Sequence, residues 1–203
     1  MKKIILSALA LIIIIGSLCI STSAVGTTHT VVRGDTMWKI AVKYQVGISE
    51  MISANPQIAN PNLIYPGQKL NIPLTDSSVT SYEERVIELV NQERANYGLS
   101  ALKANWELSR VARYKSQDMH DRKYFSHTSP TYGSPFDMMK SFGISYKSAG
   151  ENIAMGYKTP EEVVNGWMNS SGHRANILNF SFTHIGVGYV KDGNYWTQMF
   201  IGK

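Results

Sequence analysis

Residues 148–179, SAGENIAMGYKTPEEVVNGWMNSSGHRANILN, decide how this chain is read. Ser148 to Met155 is a glycine-flanked run that reads as a strand and carries one acid, Glu151. Thr159-Pro160-Glu161-Glu162 then opens a helix. Thr159 serves as cap, Pro160 suits the first helical position, and Glu162 reaches back to close a capping box. Val163, Val164 and Trp167 give this helix an apolar face, and His173 follows just past its end. Upstream, Tyr124-Phe125-Ser126-His127 offers a second imidazole. Two histidines and a glutamate from three segments are what a cleft needs to hold a metal or move a proton. Spacing alone does not make them converge.

Downstream, the period changes. His184–Val190 and Tyr195–Ile201 read as two strands joined by Lys191-Asp192-Gly193-Asn194, whose central Asp-Gly pair is a strong hairpin signal. Upstream, Thr80-Ser81-Tyr82-Glu83-Glu84 offers a capping box for a helix ending at Gly98. Asn105 caps a second helix, with Leu108, Val111 and Met119 inward and Arg110, Arg113, Lys115 and Arg122 mostly outward. Ser134-Pro135 opens a third, with Asp137 at its third position and Gly143 past its end. Helices packed on a small antiparallel sheet make an α+β layered domain over residues 82–203.

A smaller module precedes it, over residues 29–73. His29–Arg33 alternates and reads as a strand. Gly34-Asp35-Thr36 is a turn and helix start, followed by two short helices over Met37–Tyr44 and Glu50–Ala54. Tyr65-Pro66-Gly67-Gln68 turns the chain into a last strand, Lys69–Pro73. Trp38 is expected in the core of this βααβ unit. Leu74 to Ser81 is short and polar, and reads as a linker that keeps the two modules close.

The run VVRGDTMWKIAVKY with NPQIANPNLIYPGQKLNIP resembles a LysM domain over the whole small module. The resemblance implies binding of N-acetylglucosamine-containing glycan, such as peptidoglycan, spore cortex or chitin. It places the sugar between the loop after the first strand (Gly34, Asp35, Thr36) and the loop before the last (Pro61, Asn62, Leu63, Ile64). Each residue also has a structural reading, in a turn, a cap or the core. Residues 82–203 resemble the CAP superfamily of cysteine-rich secretory proteins, antigen 5 and pathogenesis-related proteins. The resemblance rests on YFSHTSP, SPFDMMKSFGISYKSAGENIAMG, TPEEVVNGWMNSSGHRANIL and FTHIGVGYVKDGNYWTQMF. It implies an α-β-α sandwich with a cleft where His127, Glu151 and His173 meet. Many members of that family place a second glutamate three residues after the helix tryptophan, where this chain has Ser170. Glu162 is the capping-box residue and does not replace it.

A His, His, Glu set with an open fourth position is one that catalytic zinc uses, so zinc or another divalent cation is the cofactor to expect there, if any. HExxH is absent, and no third group completes a triad with Ser126, Ser170 or Ser171. The three cleft residues also have a purely structural reading. His29, His120 and His184 read as incidental, and Asn152 and Asn176 as loop and cap ties.

The N-terminus reads as a secretory signal: Lys2-Lys3, an apolar run from Ile4 to Ile20, and a small-residue cleavage site ending at Ala24. The alternative is an uncleaved membrane anchor. Cys19 is the only cysteine, so a mature chain holds no disulfide and no thiol nucleophile. The net charge of +5 falls to +3 without Lys2 and Lys3. That suits an anionic wall polymer and is no nucleic-acid signature. The expectation is a secreted cell-wall or spore-envelope protein, resembling spore-former proteins of this domain pairing. Its partner would be peptidoglycan or a related glycan, and its cleft would bind a ligand, hydrolyse wall or peptide, or be structural only.

Overall fold

The computed structural model describes residues 26–203. The expected signal segment, residues 1–24 with Cys19, lies outside the described residues. The small module runs β1 (Thr27–Thr30), α1 (Met37–Tyr44), α2 (Ile48–Ser53) and β2 (Lys69–Ile72). β1 and β2 pair antiparallel, Thr30 opposite Lys69. Pairing persists through Val31, whose N–H reaches Gln68 O at 2.8 Å. The first strand ends short of Arg33 because the Asp35 carboxylate takes the Val32 N–H at 3.0 Å and turns the chain. Thr36 caps α1 by accepting from Lys39 N. Met37, Ile40 and Ala41 form the inward stripe of α1 and pack with Val31, Met51, Leu70 and Ile72. Trp38 is not in this core. It lies one step off the stripe and is 64% exposed.

The linker is shorter than its composition indicates. Asp76 Oδ1 accepts from Ser78 N at 2.7 Å, so α3 (Ser77–Asn96) starts there and Leu74 to Asp76 alone join the modules. The Thr80 to Glu84 run is therefore inside a helix already begun.

The larger module continues with β3 (Lys103–Ala104), α4 (Trp106–Asp121), α5 (Pro135–Ser141), β4 (Ser148–Met155), α6 (Pro160–Met168), α7 (Ser171–Ile177), β5 (His184–Val190) and β6 (Tyr195–Gly202). The sheet order is β3-β5-β6-β4. The β5–β6 hairpin pairs Val190 with Tyr195 across the expected Asp-Gly turn. β3, which the sequence does not announce, pairs parallel with β5, Lys103 beside His184. Trp167, Trp196, Phe200, Val163 and Val86 fill the layer between the sheet and α3, α6 and α7. Leu108, Val111, Met138, Met139 and Met199 fill the opposite layer under α4 and α5. The architecture is α-β-α, with β4 at an open edge.

The buried stripe of α4 reads Leu108, Val111, Ala112, Lys115, Ser116, Met119. Lys115 is thus fully buried, contrary to the outward reading of its charge. Arg113 also turns to a partner within the fold, donating from Nε to both oxygens of the buried Glu83 at 2.9 Å.

Candidate functional site

Glu151 sits mid-strand on edge strand β4, opposite Met199 of β6. Met199 packs under α4, so Glu151 shares that face. Its side chain is 1% exposed, whereas that of His127 is 52% exposed. His127 Nδ1 and Glu151 Oε1 are 2.7 Å apart, so a solvent-facing imidazole stands on a buried carboxyl. Glu151 Oε2 is buried with no hydrogen-bond partner among the described residues.

The loop carrying His127 is pinned from beneath. Lys115 Nζ donates to Ser126 O and His127 O at 2.8 Å and to Tyr124 Oη at 3.2 Å. Asp118 accepts from the hydroxyls of Tyr124, Ser129 and Thr131. Those bonds outweigh the burial that would raise the Asp118 pKa, and hold it below the usual carboxylate range.

His173 arrives from the other side of β4. It follows α6, as its spacing indicates, and stands in the first turn of the short helix α7. Successive residues of β4 face opposite layers, so Asn152 points where Glu151 does not. Asn152 Nδ2 donates to His173 O at 3.1 Å and to Gln198 Oε1 at 2.9 Å. Asn176 Nδ2 donates to Glu151 O at 3.1 Å and Asn152 Oδ1 at 2.8 Å. These amides are ties, and they lock α7 against the sheet edge. His127 and His173 are close enough to sense one another. Burial lowers the His173 pKa, and the His127 charge lowers it further. Burial raises the Glu151 pKa against the opposing pull of the His127 bond and the Lys115 charge. Burial likewise lowers the Lys115 pKa, opposed by Glu151 and Asp118.

In the small module, the loop leaving β1 and the loop entering β2 emerge at one end, because Thr30 pairs with Lys69. Gly34 turns at φ +93° and has open space where a side chain would be. Asp35 is tied to His29 Nε2 at 2.8 Å, and that bond first of all lowers its pKa. His29 is therefore a buried tie, also bonded to Tyr44 Oη, and not incidental. Thr36 is a cap, Asn62 N–H is held by Asn60 Oδ1, Ile64 packs partly on the core, and Leu63 is 51% exposed. His120 is likewise tied, to Asp121 and Asp192.

The family model described as the Cysteine-rich secretory protein family, CAP, matches residues 87–201, more than half of the chain. The chain belongs to the CAP family. A LysM domain precedes the CAP domain, matched over residues 29–73. The "Uncharacterized protein YkwD" of Bacillus subtilis (strain 168) is 69% identical over 127 residues, covering 63% of this chain and 49% of that protein. A crystal structure of an extracellular protein with an SCP domain from Bacillus anthracis str. Ames aligns with a TM-score of 0.60 and 36% identity. It covers 68% of this chain and 47% of that one. The LysM domain is similar to the "Spore coat assembly protein ExsA" of Bacillus cereus, 49% identical over 45 residues, 22% of this chain and 7% of that protein. The chain thus spans about half or less of each of these relatives.

The CAP domain brings His127 and Glu151 into contact and sets α7 with His173 across the same sheet edge. Among the described residues, no group of three or more His, Cys, Asp or Glu is arranged to hold a metal ion. His127 Nδ1 is engaged by Glu151, so the arrangement is a hydrogen-bonded pair with a neighbouring imidazole rather than a three-ligand shell. As arranged, the pair can orient a polar ligand and take or give a proton at the outward ring edge of His127. Ser126 Oγ accepts from Thr128 N at 3.2 Å, a bond within its own loop. Glu162 closes the capping box with Thr159, as its position in the sequence indicates. Ser170 is the N-cap residue of α7 and makes no side-chain bond there. Lys115 is the site residue that sequence reasoning missed, although it stands on the apolar stripe of α4. Among the described residues, no helix is long and apolar enough to cross a membrane.

Proposed function

We propose that this chain is a cell-wall or spore-envelope protein that is held on N-acetylglucosamine-containing glycan by its LysM domain. Its CAP domain then presents the His127–Glu151 edge to a small polar ligand, without catalysis. The observation that carries the reading is the LysM match together with two loops emerging at one end of β1–β2. The wall setting draws on the LysM likeness to a spore-coat assembly protein. Pelleting with purified peptidoglycan sacculi tests the tether. Replacing Asn62 and Leu63 together by Ala should weaken binding about tenfold, roughly 1.4 kcal/mol. His127→Ala should leave pelleting intact. Equal pelleting by the loop variant and the parent chain rules this glycan site out.

A second reading, a wall or peptide hydrolase, is favoured by one observation: a buried carboxyl of raised pKa under a solvent-facing imidazole. Release of soluble fragments from sacculi, abolished by His127→Ala and by Glu151→Gln, would establish it. The divalent-cation reading requires the ion to displace the His127–Glu151 hydrogen bond. One-to-one calorimetric heat with zinc, lost in His127→Ala, Glu151→Gln and His173→Ala alike, is its signature. If all three variants match the parent in every assay, the structural-envelope reading takes its place.

A further inference from the structure

A cavity of about 580 Å³ opens in the CAP domain between the loop after α3 and the segment entering β5. Arg94, Lys103, His184 and Lys203 line it together with the rings of Phe180 and Phe182, and no Asp or Glu side chain does. We propose that this cavity binds an oxyanion, carboxylate or phosphate, carried on a flat apolar body that rests against Phe180.

Arg94 is the first support. It is 1% exposed, yet among the described residues it has no carboxylate partner. Its Nε donates to Ser100 O at 2.9 Å, and its Nη1 to Ile177 O and Asn179 O at 2.7 and 2.9 Å. Those bonds staple the ends of α3 and α7. They use three of the five N–H groups that a guanidinium carries. Nη2 has no acceptor among the described residues, and the residue lines the cavity. A buried cation without a counter-charge is costly, and an oxyanion in the cavity would supply the charge and the acceptors together.

The second support is the company Arg94 keeps. Lys103 of β3 lies beside His184 of β5 in register. The Lys203 N–H is held by Thr183 Oγ1 at 3.2 Å, and Thr183 Oγ1 shares a 2.8 Å bond with His184 Nδ1. Burial lowers the His184 pKa, and the charges of Lys203 and Lys103 lower it further. Even with a carboxylate on Lys203 itself, the cationic side chains remain in excess. The third support is Phe180, 82% exposed beside a cavity that already holds Phe182 stacked on Phe200. An exposed ring next to cations recognises an anion with a flat or apolar body better than a bare ion. The inference is independent of the His127–Glu151 edge and of the LysM loops.

The test is a titration of the full chain with benzoate, phenyl phosphate and inorganic phosphate, followed by NMR at Arg94 Nε–H and the Phe180 ring. Benzoate or phenyl phosphate should shift both signals with a Kd of about 1 mM or tighter. Replacing Lys103 and Lys203 by Gln, both exposed, should weaken binding about tenfold, or roughly 1.4 kcal/mol. Phe180→Ala should weaken the two aromatic anions and spare inorganic phosphate. His127→Ala should change nothing. Tighter benzoate assigns a carboxylate ligand, and tighter phenyl phosphate a phosphate ester. No shift with either aromatic anion, or shifts that persist through the lysine and Phe180 changes, overturns the site.

Discussion

Glu151 has one carboxylate oxygen bonded to His127 and the other without a partner, in a place that water barely reaches. Its pKa is raised by burial above the ordinary carboxyl value of 4.5. Below 4.5 both folded and unfolded chains hold the proton, and the group adds no pH dependence. As pH climbs from 4.5 through the raised folded value, the unfolded chain loses its proton first and stability falls. Above both values the full penalty stays. Glu151→Gln is neutral throughout. Urea unfolding over a pH series should therefore show the parent losing ground to Glu151→Gln as pH rises through that window, then holding level. A difference that grows in the parent's favour over the same window would refute the assignment. The comparison cancels His173, whose lowered pKa acts in the other direction. Its contribution is present above 6.5 and is lost as pH falls through the folded value. Lys115 belongs to this balance as well, since its buried charge opposes the rise at Glu151 while its three donors hold the His127 loop.

At the scale of elements, the layer of α4 on β5 depends on two missing side chains. A Cβ on Gly188 would lie 2.1 Å from Arg113 N, and one on Gly186 2.4 Å from Ser109 N. Backbone cannot give way as a flexible side chain does, so Gly188→Ala must push helix and sheet apart. The expected cost is about 1–3 kcal/mol by urea unfolding, in the range of overpacked cores. Gly172→Ala, which meets nothing within 4 Å in α7, serves as control and should be neutral or slightly stabilising. Equal stability of the two variants would show that the layers are not in close contact. Elements held by local chemistry were legible in the sequence: the helix start at Ser134-Pro135, the capping box at Thr159, the Asp-Gly hairpin and the Glu151 strand. Elements decided by distant partners were not. β3 exists because β5 passes beside it, and Lys115 is inside because loop carbonyls from Ser126 and His127 receive it. For Lys115 the helical period pointed inward and the residue type outward, and the period was the better guide. At the site, the three residues were visible as types. The edge geometry that sets His127 and His173 on opposite sides of β4 was not, because it depends on sheet order.

Across the whole molecule, the two modules keep separate cores and share a polar latch. Glu50 of α2 accepts from Arg110 Nε at 2.6 Å, from Arg110 Nη2 at 3.0 Å and from Tyr114 Oη at 2.9 Å. Arg110 Nη2 also reaches Ser49 Oγ at 2.9 Å, and the guanidinium lies over the rings of Tyr114 and Phe142. Beside the latch, Val46, Pro73, Val79 and Tyr189 line a crevice of about 350 Å³ between the modules. Burial would raise the Glu50 pKa, but its bonds to Arg110, Ser49 and Tyr114 outweigh it and hold the carboxyl below its ordinary value. Burial and the Glu50 carboxylate push the Tyr114 pKa up to about 12. The latch is therefore fully formed above 4.5 and weakens as pH falls through the lowered Glu50 value. With a joint of only Leu74 to Asp76, this bidentate pair biases how the LysM domain sits against the CAP domain. Both partners are partly open to solvent, so the latch contributes about 1 kcal/mol, enough to bias orientation without holding either core folded. Arg110→Ala should leave each module folded and glycan pelleting unchanged. It should, however, give two tumbling times in ¹⁵N relaxation, one for each module, where the parent chain should give one. Acidifying the parent chain below the Glu50 value should produce the same split. A single tumbling time in Arg110→Ala would mean that the joint and the crevice contacts hold the modules together unaided.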